Sequence, residues 1–424
     1  MKTLRNFKET RNQVITILLI SILSLVFIFK GASICKFESN SLIQDTYRAK
    51  VTKVLDSENV TDELGEIREK YVFFEMYIQS GYMKGETITG VQMMDYIYAV
   101  QPKEIEKGDK IIVSTDIDDN GKIIWLFVEY NRLGVLIMLG LIFFGIILYL
   151  GRTKGIGTIL SLIYTTMAIF MMYIPGITKG MNIYALTTVI SIFIILMSLT
   201  LINGFSKKTL CAILGNLGGV FLSALITFIC SKILHLTGLV QQDYVFLTFL
   251  DTPIDLKALV WGGIVIGALG AIMDVAMTIA SSMNELSEKM RSKSFKNMFV
   301  SGMNIGKDAI GTMTNTLVLA YVGSSLAVII LIFANNKGNL LYIMNMEMIV
   351  TEILQALAGS LGILLCVPVT VFISAYLFNI TPKLKAKKTA KKEEIVAVID
   401  SEEPSENTKE DIPQVIIKNK NSIK

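Results

Sequence analysis

Long apolar runs separated by short polar loops dominate this sequence. A helix needs about 20 mostly apolar residues to cross a bilayer. Eight runs approach or exceed that length, at about 14–30, 133–151, 156–175, 183–202, 210–234, 258–283, 309–334 and 350–378. No clean cleavage site of small residues follows the first run, so we interpret it as an uncleaved anchor and not as a signal peptide. The pattern predicts an α-helical multi-pass membrane protein with about eight transmembrane helices.

Between the first and second runs, residues 31–132 follow a different pattern. Short apolar stretches alternate there with glycine, asparagine and acidic turn residues, which is the punctuation of strands and hairpins. The size of the segment suits a small β-rich domain, either a barrel or a sandwich. We therefore predict such a domain, inserted after the first helix.

Lysine and arginine are unevenly distributed among the short loops and the chain ends. One set of flanks holds 19 of them, whereas the opposite loops hold 3, namely Lys179, Lys257 and Lys337. Basic loops remain in the cytoplasm during insertion. The bias predicts that both termini are cytoplasmic and that the β-rich domain is extracytoplasmic, and an even number of helices predicts the same.

These patterns divide the chain into four parts. Residues 1–30 form a basic cytoplasmic N-terminus and an anchor helix, and residues 31–132 form the β-rich domain. Seven helices follow in residues 133–380, and residues 381–424 form a polar, charge-mixed cytoplasmic tail that we expect to be disordered. Charged residues make up only 18% of the chain, against about 25% in soluble domains. A soluble enzyme is thereby excluded, and the cell membrane is the predicted location.

The sequence offers little conventional chemistry. With one histidine, four scattered cysteines and no CxxC pair, it has no set of ligands for a zinc or haem site. It also lacks the glycine-rich phosphate loop of an ATPase, the GxSxG elbow of a hydrolase and the HExxH of a metalloprotease. No basic groove interleaved with aromatics indicates nucleic-acid binding. We expect neither an enzyme nor a cofactor.

Asp274 is the polar residue that a membrane helix retains at the greatest cost. It lies about 15 Å inside the cytoplasmic end of its run, where a charged carboxyl costs at least about 2.5 kcal/mol. Helical spacing puts it on one stripe with small and polar residues, namely Gly263, Gly267, Gly270, Thr278, Ser281 and Glu285. Small residues permit close helix packing, so we expect the stripe to face another helix. Asp274 is then either a protonated group bonded across helices or a proton- or ion-linked site.

The two runs that follow supply candidate partners for Asp274. Thr312 and Asn315 lie on the next run at a similar depth, and a buried amide must find a hydrogen-bond partner. Glu285, Lys307 and Asp308 form a polar cluster at the cytoplasmic ends of these helices. Glu352 lies near the outer end of the last run, where either an ion-linked role or wetting by surface water accounts for it.

A family resemblance rests on a long set of these residues. The set comprises Gly267-Ala-Leu-Gly-Ala-Ile-Met-Asp274, Asn284-Glu285, Gly302-Met-Asn-Ile-Gly306-Lys-Asp308, Asn315, Tyr321-Val-Gly323, Asn345-Met-Glu347 and Glu352, with Gly151-Arg152-Thr-Lys-Gly155 and Thr237-Gly238 earlier in the chain. The sequence resembles the YibE/F-like integral membrane protein family from about residue 130 to 380. The resemblance implies an uncharacterised multi-pass membrane protein and brings no substrate or reaction with it.

Two functions from different classes fit these features. The first is a secondary transporter or ion-coupled membrane machine for an unknown small solute or ion, with Asp274 as its protonation site. The second is a non-transporting assembly or accessory factor that binds a protein partner through residues 36–130. Either can form a homo-oligomer in the lipid bilayer. A position of Asp274 toward lipid would contradict the transport hypothesis.

Overall fold

The chain folds into two compact units, Phe37–Ile159 on the one hand and Met1–Lys36 with Leu160–Lys424 on the other. The structure is a computed structural model that describes residues 2–35, 46–61, 67–96, 103–117, 121–250, 252–290, 294–335 and 339–401. Side chains are described between Gln13 and Asn379, Gln242 excepted.

The first part of the Phe37–Ile159 unit is a closed barrel of five strands. The strands are β1 (Thr46–Thr61), β2 (Ile67–Ile78), β3 (Thr87–Asp95), β4 (Lys110–Ile117) and β5 (Ile123–Tyr130). Their order is β1-β2-β3-β5-β4, and β4 pairs with β1 to close the barrel. All neighbours are antiparallel except β3 and β5, which pair in parallel at Val91 and Leu126. The predicted β-rich domain is thus a barrel, with the arrangement of an OB-type fold.

Alternate residues of the strands fill the barrel, as the period of two in a half-buried strand requires. The core comprises Tyr47, Ala49, Val51, Phe74, Met76, Ile78, Ile105, Ile111, Val113 and Trp125. One polar residue, Gln92, is fully buried among them. Its amide donates to the Lys103 carbonyl and accepts from the Ile105 N–H, both at 3.0 Å. These bonds compensate the cost of burying the amide and hold residues 103–105 against β3.

The phenol of Tyr71 on β2 provides a test of the barrel through pH. Its hydroxyl donates to Glu69 Oε2 at 2.6 Å, and this hydrogen bond, followed by burial, raises the pKa of Tyr71 above its usual value. The folded state therefore holds the proton more tightly than the unfolded chain. The resulting stability is fully present below the unfolded pKa of about 10 and is lost as the pH rises through the higher folded pKa.

We expect Tyr71→Phe to make the barrel less sensitive to alkaline pH. Tyrosinate absorbance and thermal melting, followed from neutral to alkaline pH, measure this effect. Identical titration curves and identical pH dependence for the variant and the wild type would contradict it.

Helices form the rest of the described chain. They are α1 (Lys2–Cys35), α2 (Leu133–Ala168), a π-helical turn (Ile169–Tyr173), α3 (Ile174–Thr178), α4 (Ile183–Asn203), α5 (Lys207–Ile233), a 3-10 helix (Gln242–Thr248), α6 (Leu256–Lys289), α7 (Phe295–Ser324), α8 (Leu326–Asn335), α9 (Leu340–Ile343) and α10 (Glu347–Ser401). The backbone of α10 continues as a helix into the segment that we predicted as a disordered tail from residue 381. Residues 402–424 lie outside the described part.

Within the described residues, six helical segments are long and apolar enough to cross a membrane. They are Gln13–Cys35, Leu133–Thr178, Ile183–Asn203, Lys207–Ile233, Leu256–Lys289 and Glu347–Asn379. The pair Phe295–Ser324 and Leu326–Asn335, bent by 58°, makes up to seven if it counts as one span. The segment Leu133–Thr178 has 46 residues and contains a non-helical residue, Arg152, with φ 49° and ψ −123°.

Small residues let α5 and α10 pack closely. They recur every four residues, as Cys211, Gly215, Gly219, Ser223 and Thr227 on α5 and as Ala358, Gly362, Cys366, Thr370 and Ser374 on α10. The Ser223 hydroxyl donates to the Ala358 carbonyl at 3.0 Å, and the Cys366 thiol donates to the Gly215 carbonyl at 3.5 Å. Side chains on one helix thus reach the backbone of the other, which is the packing that small residues permit in membranes.

Candidate functional site

Helix α6 has one buried and one uncovered face. Its buried face is apolar and comprises Ile264, Ala268, Ile272, Val275, Ala276, Ile279, Ala280 and Met283. The opposite face carries the predicted stripe, of which Gly263, Gly267, Gly270, Asp274, Thr278 and Glu285 are exposed. A Cβ atom added at Gly263 or Gly270 would have no atom within 4 Å.

The expectation that this stripe packs against another helix of the chain is therefore wrong for the described residues around Asp274. The reason is that α6 packs mainly through its apolar face against α5 and α10, and on the glycine face Gly267 alone of the three predicted packing glycines comes near another helix. Ile272 on the apolar face fits against the backbone at both Gly219 of α5 and Gly362 of α10. Helical spacing groups residues on a face, but it does not determine which face the same chain covers.

The structure does not join Asp274 to its predicted partners. Its carboxyl has no hydrogen bond or ion pair with any residue in the part of the chain that the structure describes. The Thr312 hydroxyl instead donates to carbonyls of its own helix, at 3.2 Å to Ala309 and 3.5 Å to Asp308. The Asn315 side chain is exposed and likewise has no hydrogen-bond partner among these residues.

Helix α7 nevertheless contacts α6 on both sides of Asp274 along the chain. Toward the C-terminus of α6, Gly302 lies against Met283: a Cβ atom added at Gly302 would be only 2.5 Å from the Met283 sulfur. Toward the N-terminus, an added Cβ on Gly267 would lie 3.0 Å from the Tyr321 hydroxyl. Between these contacts, the glycines at 270 and 311 face open space. Asp274 thus lies along an uncovered stretch of α6 between two contact points.

Near Asp274 and Asn315, the exposed residues of both helices are mainly polar or small, although α7 also exposes Val300, Leu319 and Val322. We call Gly263, Gly267, Gly270, Asp274 and Thr278 of α6 together with Gly311, Thr312, Asn315 and Thr316 of α7 the polar α6–α7 surface; all of them are exposed. The exposed side chains of α4 and α5 are different, because apart from Thr188 those at the middle of these helices are apolar: Val189, Ile192, Leu196, Phe221, Leu225 and Ile229. Lipid favours the second composition and disfavours the first.

Helix α10 contributes a different residue from the one predicted. The predicted residue, Glu352, is half-buried. Gln355, one turn further along α10, lies beside the α6 stripe instead: its Nε2 would be 3.7 Å from a Cβ atom added at Gly267. The Tyr321 hydroxyl lies beside the same glycine. Tyr321 was not among the predicted site residues. Its signals in the sequence are its membership of the family-like set and the occurrence of a polar aromatic in an apolar helix.

The predicted cytoplasmic cluster is not held together by ion pairs. Glu285, Lys307 and Asp308 are all exposed, and no salt bridge among the described residues includes any of them. Nearby, the Asn284 side-chain amide donates a hydrogen bond to Glu288 Oε1 at 3.0 Å. The cysteines Cys35, Cys211, Cys230 and Cys366 are free thiols. In the described part of the chain, no group of three or more His, Cys, Asp or Glu side chains could hold a metal ion.

A carboxylate clamp, which sequence reasoning missed, joins the start of α10 to the loop after α5. Glu347 Oε1 accepts from the backbone N–H groups of Thr237 and Gly238 at 2.7 and 2.6 Å, and Oε2 accepts from the Thr237 hydroxyl at 2.8 Å. Gly238 has φ +90° and lies directly against the backbone of Leu256, so a side chain there would be strained and would clash. The clamp therefore links the ends of α5, α6 and α10.

Glu347→Gln is expected to lower the free energy of unfolding of the membrane unit by about 1–2 kcal/mol, and with it the melting temperature, because the glutamine amide cannot accept all three hydrogen bonds. Amide hydrogen exchange at Thr237 and Gly238 should accelerate at the same time. Glu285→Gln is the matched control, since its carboxylate has no such partner among the described residues. Equal melting temperatures and equal exchange for Glu347→Gln and the wild type would contradict the clamp.

The long apolar helices, the core of small residues and the separate five-stranded barrel define an α-helical membrane protein with a small β domain. The profile of the YibE/F-like protein family matches residues 139–380, which is more than half of the chain. The chain belongs to this family, and the resemblance noted in the sequence is confirmed. The match includes α6, α7 and the Glu347 clamp but not the barrel. No curated protein and no solved structure matches the chain.

Proposed function

We propose that this protein is a secondary transporter or ion-coupled membrane machine in which Asp274 takes up and releases a proton. The observation that supports this function is the polar α6–α7 surface. The surface carries a carboxyl without a partner in the described chain, whereas the neighbouring helices expose leucine, isoleucine and phenylalanine.

Energetics argue against lipid as the neighbour of this surface. A carboxylate at the bilayer centre costs at least about 2.5 kcal/mol, and the exposed Asn315 amide adds a further cost. The surface therefore faces either water or protein in the assembled membrane. A carboxyl beside a water-filled passage can exchange protons with one side of the membrane, which is what ion coupling requires.

The contacts of α7 suggest how access could alternate. α7 meets α6 at Gly302 on one side of Asp274 and beside Gly267 on the other. We infer that rocking of α6, α7 and α10 opens one of these contacts while the other stays closed, as in transporters that move rigid helices around a central site. The open space at Gly270 and Gly311 gives the helices room for this movement. Asn315 and Thr312 would then hydrogen-bond Asp274 in one of the two states.

The proposed arrangement in the membrane has eight spans, with both termini in the cytoplasm and the barrel outside. A helical segment of 46 residues measures about 69 Å, more than twice the thickness of the hydrocarbon core, and Arg152 interrupts it. Two spans joined near Arg152, together with the bent α7–α8 pair as one span, give this number. We place the protein in the cell membrane, without enzymatic activity, and consider a homo-oligomer a natural way to cover the polar α6–α7 surface.

A second candidate function is an accessory factor that binds a protein partner through the barrel. The barrel supports it because several of its strands expose apolar side chains, namely Leu55, Val60, Met93, Ile117 and Ile123. Residues 36–132 also carry 12 basic and 18 acidic side chains. A basic partner with an apolar centre would match this surface.

Deletion of the barrel is an experiment that distinguishes between the two proposed functions. If the protein is a transporter, replacing residues 46–130 by a short flexible linker is expected to leave proton-coupled uptake into proteoliposomes within about twofold of the wild type, because the barrel folds around its own core. Uptake is followed with a pH-sensitive dye under an imposed gradient, and circular dichroism checks the membrane unit. Wild-type proteoliposomes that show no proton-coupled flux would contradict transport. The accessory role would be favoured if cells that carry the barrel deletion show the same defect as cells that lack the protein, while the flux of the deletion variant stays normal.

A further inference from the structure

An apolar groove runs along α1 where this helix packs against α4. It consists of two cavities, one of about 620 Å³ toward the C-terminus of α1 and one of about 500 Å³ toward its N-terminus. Leu23 and Phe27 line both cavities. Phe27 stacks on Phe193 of α4 with the ring centroids 4.4 Å apart. The two cavities thus lie end to end along α1 and meet at the Phe27–Phe193 stack.

The shape and lining of the groove suit a hydrocarbon chain. The groove is lined by α1 from Ile20 to Cys35. The stretch from Ile20 to Lys30 rises about 15 Å, about half of the 30 Å hydrocarbon core. The walls are mainly leucine, isoleucine, phenylalanine and methionine side chains. The uncharged polar residues that line the groove are fewer: Ser24, Asn182, Thr200, Ser206 and Thr209. A lipid chain from one leaflet would therefore replace the missing side-chain contacts along this stretch.

A cation lines the cavity toward the C-terminus of α1. Lys30 is the one charged side chain that lines either cavity, and no acidic residue in the described chain pairs with it. It lies five residues before the C-terminus of α1 at Cys35. Lys179 brings a second ammonium to the same end, because its Nζ donates to the Ile34 carbonyl at 2.7 Å. Two cations at the mouth of an apolar groove complement a negatively charged headgroup above an acyl chain.

We propose that this groove binds a phospholipid with an anionic headgroup, with the phosphate at Lys30 and one acyl chain between α1 and α4. The binding site is separate from Asp274 and does not depend on the proposed transport. In the proposed orientation, the lipid belongs to the outer leaflet. Because α1 links the membrane unit to the barrel in sequence, a bound lipid would also stabilise the packing of the anchor helix on α4.

The test compares which lipids stay bound to the purified full-length protein. The protein is reconstituted in vesicles of phosphatidylcholine and phosphatidylglycerol in equal parts, extracted in mild detergent and analysed by native mass spectrometry. The wild type is expected to retain phosphatidylglycerol about fivefold over phosphatidylcholine, and Lys30→Gln is expected to lose this preference. Lys257→Gln is the matched control, since Lys257 is an exposed lysine at the first turn of α6 and lines neither cavity.

A second variant tests the acyl chain independently of the charge. Ala185 lines the groove from α4 and is exposed to it, so Ala185→Trp should fill the space and reduce bound lipid of both kinds. Equal retention of the two lipids by the wild type, or an unchanged preference in Lys30→Gln, would overturn the headgroup site. Unchanged lipid retention by a folded Ala185→Trp protein would overturn the acyl-chain site.

Discussion

Asp274→Asn is expected to reduce proton-coupled flux through proteoliposomes to the level of protein-free liposomes, while the protein remains folded. Asparagine keeps the size and the hydrogen-bonding capacity of the side chain but cannot take up or release a proton. Because the carboxyl is exposed and has no partner in the described chain, its neutralisation breaks no contact there. It also removes the cost of a charge at membrane depth, so the melting temperature should stay the same or rise.

The flux is measured with a pH-sensitive dye in the lumen after an imposed pH step. Asp243→Asn is the control, because Asp243 is exposed in the short 3-10 helix between α5 and α6 and lies outside the candidate spans. Normal flux in Asp274→Asn would exclude Asp274 as the proton carrier. Loss of flux together with loss of thermal stability would instead favour a structural role for the carboxyl.

The second large effect is expected at the contact between α5 and α10. A Cβ atom on Gly215 would overlap the side chain of Thr370, and no flexible side-chain end is available to move aside. Gly215→Val should therefore force the two helices apart and lower the free energy of unfolding by about 3 kcal/mol or more. Circular dichroism during thermal or detergent unfolding measures this loss.

Gly270→Val provides the matched control within the same bundle. Gly270 is also a glycine inside a membrane helix, but an added Cβ there meets no atom within 4 Å. The substitution should leave stability unchanged or raise it slightly, since valine is a better helix former than glycine. Similar losses of stability for both variants would contradict the packing of α5 on α10. A loss confined to Gly270→Val would show that another chain covers the polar α6–α7 surface.

The sequence is sufficient to predict helices and strands whose hydrophobic pattern is contained in one continuous segment of the chain. Apolar runs located the membrane helices, and alternation with turn residues predicted the β domain before Arg132, because both periodicities arise from the local geometry of the backbone. The start of α7 differs: the helix begins at Phe295, whereas the apolar run begins near 309. Its first turns mix polar residues with Phe295, Phe299 and Met303, which pack against the core of the membrane unit. Mean hydropathy over a window is low for such an amphipathic stretch, so a search for apolar runs misses it.

The packing partners could not be predicted in the same way. Helical spacing correctly placed the residues of the α6 stripe on one face of the helix. That this face stays exposed, however, depends on how α5 and α10 pack against the opposite face. The clamp joins Glu347 to a loop about 110 residues earlier in the chain, and no local pattern connects positions so far apart. Thr237, Gly238 and Glu347 did belong to the family-like set of residues, so membership of that set pointed to them without indicating that they touch.

The environment of residue 274 in the membrane tests the central claim most directly. A nitroxide spin label at this position, in protein whose four cysteines are replaced, can be probed with a water-soluble nickel complex and with oxygen dissolved in lipid. Phe221, whose side chain is 65% exposed on α5, serves as the lipid-facing reference. The proposed water-filled passage predicts that relaxation at 274 responds more to nickel than to oxygen, opposite to the response at 221. A response at 274 dominated by oxygen, equal to that at 221, would place the carboxyl toward lipid and contradict the transport mechanism.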